Sequence, residues 1–195
     1  MKTSFYTPGE LAEIGFKSYG KNILISRKAS IYSPSKIEIG DNVRIDDFCI
    51  LSGKIKLGSH IHISAYTALY AGDFGINIGD FSGLSPRCTI WAMSDNFSGN
   101  ALLGPVIPEN FRNVFGGEVI LEKYVSLATG VTIIARNTEG GGGIRLKEGC
   151  AVGAMSLVNK SLSEWTIYLG IPCRAFKERS RKMAYLGEKF ISSLE

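Results

Sequence analysis

The side chains best suited to acid–base chemistry in this 195-residue chain are its two histidines, His60 and His62, in Gly58-Ser-His-Ile-His-Ile-Ser-Ala65. Imidazole changes charge near neutral pH, so either ring could take a proton from an attacking hydroxyl or amine. The four cysteines, Cys49, Cys88, Cys150 and Cys173, lie far apart and form no Cys-x-x-Cys pair. That spacing reads as free buried thiols rather than metal ligands or disulfides, and it fits a reducing, cytoplasmic setting.

A six-residue rhythm positions these groups. Ile39, Ile45, Leu51, Leu57, Ile63 and Leu69 recur at that interval, followed by Ile78, Leu84 and Ile90, then Leu121, Leu127 and Ile133, then Leu146, Val152 and Val158. A period of six fits neither an amphipathic helix nor an ordinary strand, and it is the period of a hexapeptide β-helix. Four residues after each head, the narrow interior of such a prism admits only a slim side chain. Those slots hold Val43, Cys49, Ile55, Ile61 and Thr67, then Ser82, Cys88 and Ser94, then Val125, Val131, Cys150 and Ser156. Asp73 and Asn137 break the rule where the period itself is interrupted. Gly40, Gly58, Gly79 and Gly153 each follow a head, where the chain turns a corner. In this frame His62 precedes the inward Ile63 and projects outward, while His60 falls in a turn. The bland alternative for either is a surface histidine without a role.

Length and an apolar content of 45% fit one domain with a single core. The net charge of +4 is too mild for a nucleic-acid groove but leaves room for basic clusters that grip phosphates. No apolar run reaches the length of a membrane span, and none has the form of a signal peptide. Thr7-Pro8-Gly9-Glu10 reads as a capping box with proline at the first helical position, opening a short helix to about Ile14 or Gly15. The expected organisation of 1–195 is one domain: a helical cap over 1–20, a β-helix over 21–165 and a C-terminal amphipathic helix over 172–195. The helix is drawn from Phe176, Met183, Phe190 and Leu194 at helical spacing. A loop over 95–118 interrupts the prism, and loops of that length usually carry function. The glycine run Asn137–Gly143 lacks the Lys-Ser/Thr of a phosphate-binding P-loop and reads as an inserted turn.

The rhythm, the long loop and the tail Val152-Gly-Ala-Met-Ser-Leu-Val-Asn-Lys-Ser-Leu162 followed by Leu169-Gly-Ile-Pro-Cys-Arg174 resemble the left-handed β-helix acyltransferases over residues 20 to 180. Within that superfamily the chain is most similar to galactoside/maltose acetyltransferase-like enzymes and to sugar acetyltransferases of surface-polysaccharide clusters. The resemblance implies an all-β left-handed coil, a homotrimer, and active sites in the clefts between neighbouring prisms. It also implies acetyl-CoA as donor and a sugar, nucleotide sugar or glycan precursor of O-antigen, capsule or lipopolysaccharide type as acceptor.

Acyl transfer from a thioester needs a base near the acceptor and donors for the oxyanion. His-Ile-Ser-Ala resembles the His-Ile-Ala segment of sugar N-acetyltransferases, which makes His62 the favoured base. Galactoside-type enzymes instead place a histidine where the long loop begins. This chain has Ala92-Met-Ser-Asp-Asn-Phe-Ser-Gly99 there, with Asp95 at the approximate position of the missing ring. Asp95 is therefore a second catalytic candidate, against the ordinary reading of an aspartate capping its own loop. For CoA the resemblance implies backbone approach at Ala128, Gly130, Gly153 and Ala154, cofactor contacts at Asn159 and Lys160, and phosphate contacts at Arg174 and Lys177. For any one of these cations alone, simple surface solvation is the competing reading.

Tyr66, Tyr70, Phe74, Phe81 and Trp91 fall at outward positions and suit a subunit interface or a sugar platform. Two other functions share the fold. A γ-type carbonic anhydrase needs three histidines around a metal, which two histidines one residue apart cannot supply, so no metal is expected. A non-catalytic β-helix subunit is the remaining alternative, kept open by the missing loop histidine.

Overall fold

The computed structural model describes residues 4–135 and 143–194. The chain winds into a left-handed parallel β-solenoid of about six turns, with two α-helices among the described residues. Every aliphatic head named above is buried, from Ile39 at 4% exposure to Val158 at 0%. The slim slots are buried too, except Ser94, which is only partly covered. There the chain leaves the prism: Met93–Asp95 pairs antiparallel with Val114–Gly116 to open the long loop, and Ala92 fills the interior instead. The irregular Asp73 points outward to Lys36 at 2.7 Å. Asn137 and most of the glycine run lie outside the described residues.

The prism has three faces. One stacks Leu24–Ile25, Val43–Ile45, Ile61–Ile63, Gly83–Leu84, Ser126–Leu127, Ala151–Val152 and Thr166–Gly170. Its parallel register runs Arg44, His62, Gly83, Ser126, Ala151, Ile167 along the outside. A second face aligns Tyr32, Ser52, Tyr70, Trp91 and Ile134. The third carries Glu38, Lys56, Asn77, Ile120 and Arg145.

The corners divide their work in a way the sequence does not announce. A Cβ on Gly40 would lie 2.6 Å from the Gly58 backbone, and one on Gly79 would lie 2.8 Å from Glu122. Neither glycine has positive φ, so close stacking of successive coils is what excludes a side chain. The left-handed conformation falls mostly on larger residues: Asn22, Asn42, His60, Phe81, Tyr124 and Trp165 at one corner, and Phe48, Tyr66, Arg87 and Met155 at another, with Gly149 and Gly130 each filling one such position. Each of the larger residues costs on the order of 1 kcal/mol or more. Side-chain stacking recovers part of that cost. His60 lies on Phe81 at 4.7 Å, Phe81 on Tyr124 at 5.3 Å, and Phe48 on Tyr66 at 5.0 Å, with aromatic pairs worth about 0.5–1.5 kcal/mol.

Helix α1 spans Pro8–Ile14, capped reciprocally by Thr7 and Glu10 and ended by Gly15 at φ 82°. The C-terminal expectation needs correction. Residues 172–195 are not one helix: Cys173–Glu178 returns antiparallel along Thr166–Gly170, and helix α2 covers only Lys182–Ser192. Phe176 therefore belongs to a strand. The free edge of Thr166–Gly170 offers backbone partners that outweigh the helical spacing of a few apolar residues. Helix α2 does lie back on the prism, with the Phe190 ring edge-on to His60 and Phe81. Arg179 fastens the junction by donating to the carbonyls of Tyr124 and Gly149, both at 2.9 Å. Among the described residues no helix is long and apolar enough to cross a membrane.

The interior tolerates little extra volume, so Cys88→Phe, at a 0% exposed slot, should destabilise the fold by at least about 1–3 kcal/mol. Arg87→Phe, one residue earlier at an exposed left-handed corner equivalent to Phe48 and Tyr66, should melt close to the wild type. Thermal unfolding followed by circular dichroism compares them, and equal melting of the two variants would contradict the register.

Candidate active site

His62 stands at the head of a groove of about 430 Å³ on the first face, floored by Gly83, Ser126 and Ala151 and edged by Ser64, Ser85, Ala128 and Gly153. Parallel register places these residues one above another, since strands stack about 4.8 Å apart. The His62 side chain is half exposed, and its Nε2 lies 2.7 Å from Oδ2 of Asp46. Arg44 donates from Nε to the other Asp46 oxygen at 2.7 Å. Burial acts to raise the Asp46 carboxyl, but the hydrogen bonds from Arg44 and His62 outweigh it and hold the group below its ordinary value. An ionised carboxylate only accepts, so Nε2 carries the proton, and in the neutral ring the lone pair falls on Nδ1. The arrangement thus fixes a tautomer and an orientation, as a base paired with an orienting carboxylate requires. Asp46 and Arg44 were invisible as partners in the sequence, because sixteen residues separate Asp46 from the histidine it touches.

His60 is placed otherwise. It lies flat on Phe81 with Phe190 against its edge, which makes it part of the corner stack that seats α2.

Asp95 occupies a second depression of about 620 Å³, lined by Tyr70, Trp91, Met93, Ser94, Phe97, Pro105 and Arg112 among others. The backbone N–H of Gly104 donates to its Oδ2 at 2.9 Å. Arg112 donates to Oδ1 from Nε at 3.1 Å and from Nη2 at 2.8 Å. The Gly104 hydrogen bond first, and the Arg112 pair next, hold the carboxyl below its ordinary value. A carboxylate so committed is a weak proton acceptor, but its remaining lone pairs can hold an N–H or O–H donor. The aspartate does cap its own loop, as the ordinary reading expects. The Tyr70 and Trp91 rings stack beside it at 4.1 Å. The two depressions share no lining residue, so one chain does not bring His62 and Asp95 together.

The residues assigned to CoA divide as well. Ala128 and Gly153 line the first groove; Gly130, Ala154, Asn159, Lys160, Arg174 and Lys177 do not. Gly130 also has a reason within the fold, having φ 73° at a corner where a Cβ would meet the Met155 sulfur at 2.5 Å. Lys177 pairs across from Ile167, which lines the groove, and Arg174 across from Leu169. Lys160 and Arg174 share a neighbourhood: burial raises the Cys173 thiol, and both cations pull it back. Burial pushes Cys49 and Cys88 up to about 11 and Cys150 to about 12, so these thiols are inert packing groups. The outward aromatics form no single patch: Tyr66 stacks at one corner, Phe81 at another, and Tyr70 with Trp91 beside Asp95.

No family model matches the chain. It is 37% identical over 184 residues to the dTDP-4-amino-4,6-dideoxy-D-glucose acyltransferase of Escherichia coli, covering 93% of this chain and 92% of that one. Among solved structures it is similar to AntD, an N-acyltransferase from Bacillus cereus, in complex with dTDP and 3-hydroxybutyryl-CoA. The two are 51% identical at a TM-score of 0.92, covering 99% of each chain. A serine variant of AntD holds dTDP-4-amino-4,6-dideoxyglucose and Coenzyme A at the same TM-score of 0.92 and 51% identity, covering 99% of this chain and 100% of that one. WeeI from Acinetobacter baumannii, 20% identical at a TM-score of 0.57 and covering 79% of this chain and 57% of that one, shares the fold alone.

The Asp95 tie has a pH signature. A folded value below the unfolded one, near 4, stabilises the loop above about pH 4, and that contribution is lost as pH falls through the lowered value. Arg112→Leu removes two of the three donors, so the Asp95 carboxyl should titrate closer to its ordinary value, with the Gly104 contact leaving a residual depression. Carboxyl carbon NMR reads this directly, and an unchanged titration would show that Arg112 is not the partner.

Proposed function

This chain belongs to the left-handed β-helix, hexapeptide-repeat sugar acyltransferases, and from that premise we propose that it transfers an acyl group from a CoA thioester to the amino group of a dTDP-linked amino-dideoxy sugar. The observation that carries this reading is His62, exposed at the head of a groove and held in one tautomer by Asp46. The amine nitrogen attacks the thioester carbonyl, a tetrahedral oxyanion forms, and collapse expels the CoA thiolate. Nδ1 of His62 takes the proton that the attacking nitrogen sheds. Asp95 orients the amino sugar by accepting from it, and the Tyr70–Trp91 stack provides a flat apolar wall beside it.

CoA lies along the first groove, where the protein backbone approaches its pantetheine arm at Ala128 and Gly153, with Gly130 and Ala154 at the adjoining turns. Asn159 and Lys160 contact the cofactor, and Arg174 and Lys177 meet its phosphates. The donor is a small acyl thioester of CoA, in the class that runs from acetyl-CoA to chains a few carbons longer. Ser85 belongs to this site too, though it was not singled out in the sequence. Solved AntD variants replace a serine and an aspartate ten positions further on, and Ser85 and Asp95 keep that spacing.

The separation of the two depressions supports a homotrimer in which the CoA groove of one chain faces the Asp95 pocket of the next, so that neither chain is complete alone. The inert thiols and the need for acyl-CoA support a cytoplasmic enzyme, working on precursors of lipopolysaccharide or another surface glycan.

Single-turnover rates with acyl-CoA and the amino sugar nucleotide test the roles. His62→Ala should lower the chemical step by about 10²-fold or more, the scale of a lost general base. Asp95→Asn should lower it less, and His60→Ala should lower thermal stability rather than rate. Wild-type rates in His62→Ala together with activity abolished in Asp95→Asn would move the base to the loop. Assembly across chains makes a separate demand: His62→Ala and Asp95→Ala chains, each impaired, should regain activity when co-assembled, whereas a site complete within one chain would show no recovery. At the cofactor end, calorimetry should find that Arg174→Ala weakens CoA more than dephospho-CoA, while equal losses would remove Arg174 from the 3′-phosphate.

A further inference from the structure

Gly83 has no visible reason to be glycine. It stands in a strand, where glycine gives up backbone entropy and contributes no packing. Its φ is not positive. An ideal Cβ built on it meets nothing within 4 Å, whereas one on Gly40, Gly58, Gly79, Gly116 or Gly153 would press on neighbouring atoms at under 3 Å. The fold would accept a larger residue here, and strand propensity would favour one.

What the missing side chain opens is a specific volume. Gly83 pairs in register with His62 on one side and with Ser126 on the other, and all three line the same groove. With the CoA phosphates at the Arg174 end, the thioester points toward His62, and the Gly83 backbone lies one strand spacing, about 4.8 Å, from the backbone of that histidine. Resting on the functional reading above, we propose that Gly83 determines acyl specificity: the open space over its Cα takes the acyl carbons beyond the thioester carbonyl. The natural donor therefore carries an acyl chain longer than acetyl. The pantetheine arm, which passes over Ser126 and Ala151, makes no use of this space.

Calorimetric titration of CoA, acetyl-CoA and butyryl-CoA against the wild type, Gly83→Ala and Gly83→Val tests the assignment. The wild type should bind butyryl-CoA at least as tightly as acetyl-CoA. Gly83→Val should leave CoA essentially unchanged and weaken butyryl-CoA by about tenfold or more, the scale on which a pocket discriminates a methylene or two. Gly83→Ala should fall between, and neither variant should melt below the wild type. An equal loss for all three ligands would place Gly83 beneath the pantetheine instead. Undiminished butyryl-CoA binding in Gly83→Val, or rejection of butyryl-CoA by the wild type, would overturn the proposal outright. Binding reads the acyl space without turnover, so a wild type that transfers acyl groups to no amino sugar would sink the functional reading and not this one.

Discussion

The constraint on which everything else depends is the stacking of parallel rungs in strict register about 4.8 Å apart. Each coil repeats the previous one, so a residue's position within its hexapeptide decides whether it faces core, corner or solvent. Its coil number decides which residues it touches. His62 meets Asp46 and Arg44 because successive rungs pair Arg44 with His62. The groove beneath it exists because Gly83, Ser126 and Ala151 occupy the same outward position in the following rungs. No helix or loop needs to be placed to build that groove, which makes it rigid.

Rigidity at the corners is obtained against a conformational cost. Many non-glycine residues hold left-handed φ, several of them aromatic. The stacks of His60, Phe81 and Tyr124 offset part of that strain and also make a surface on which α2 can rest, with Gly187 packed so closely on Tyr124 that a Cβ would sit 2.3 Å from its hydroxyl. Arg179, whose guanidinium serves backbone carbonyls and the Ser126 hydroxyl at 2.9 Å, ties the same tail to the floor of the groove. The C-terminal segment is thus joined to the candidate site by polar contacts as well as by packing.

The two candidate catalytic residues live in different electrostatic settings. His62 has one ionised partner and an exposed face, which leaves a lone pair for chemistry. Asp95 accepts from Gly104 and Arg112 and is held as an anion with acceptor capacity to spare, which suits holding a substrate group better than taking a proton from it. That division fits the separate roles proposed for them and matches their placement in separate depressions.

The sequence by itself determined the solenoid, because a six-residue period buries its heads only when each coil stacks on the last, and the slim residues four places later leave no wider interior. It also determined that His62 faces outward, that the cysteines are buried, and that a capping box opens α1. Its failures have a common origin. Ser94 left the interior and Phe176 left the helix because competing backbone partners, Val114–Gly116 and Thr166–Gly170, lie far away in sequence. Gly40, Gly58, Gly79 and Gly153, the glycines that follow a head, turned out to answer to the approach of the neighbouring coil rather than to their own φ. Asp46 as the partner of His62, Arg112 as the partner of Asp95, and the open space over Gly83 were decided by the tertiary structure alone. Each depends on which coil sits beside which, and the interrupting loops shift that count in a way no local pattern encodes.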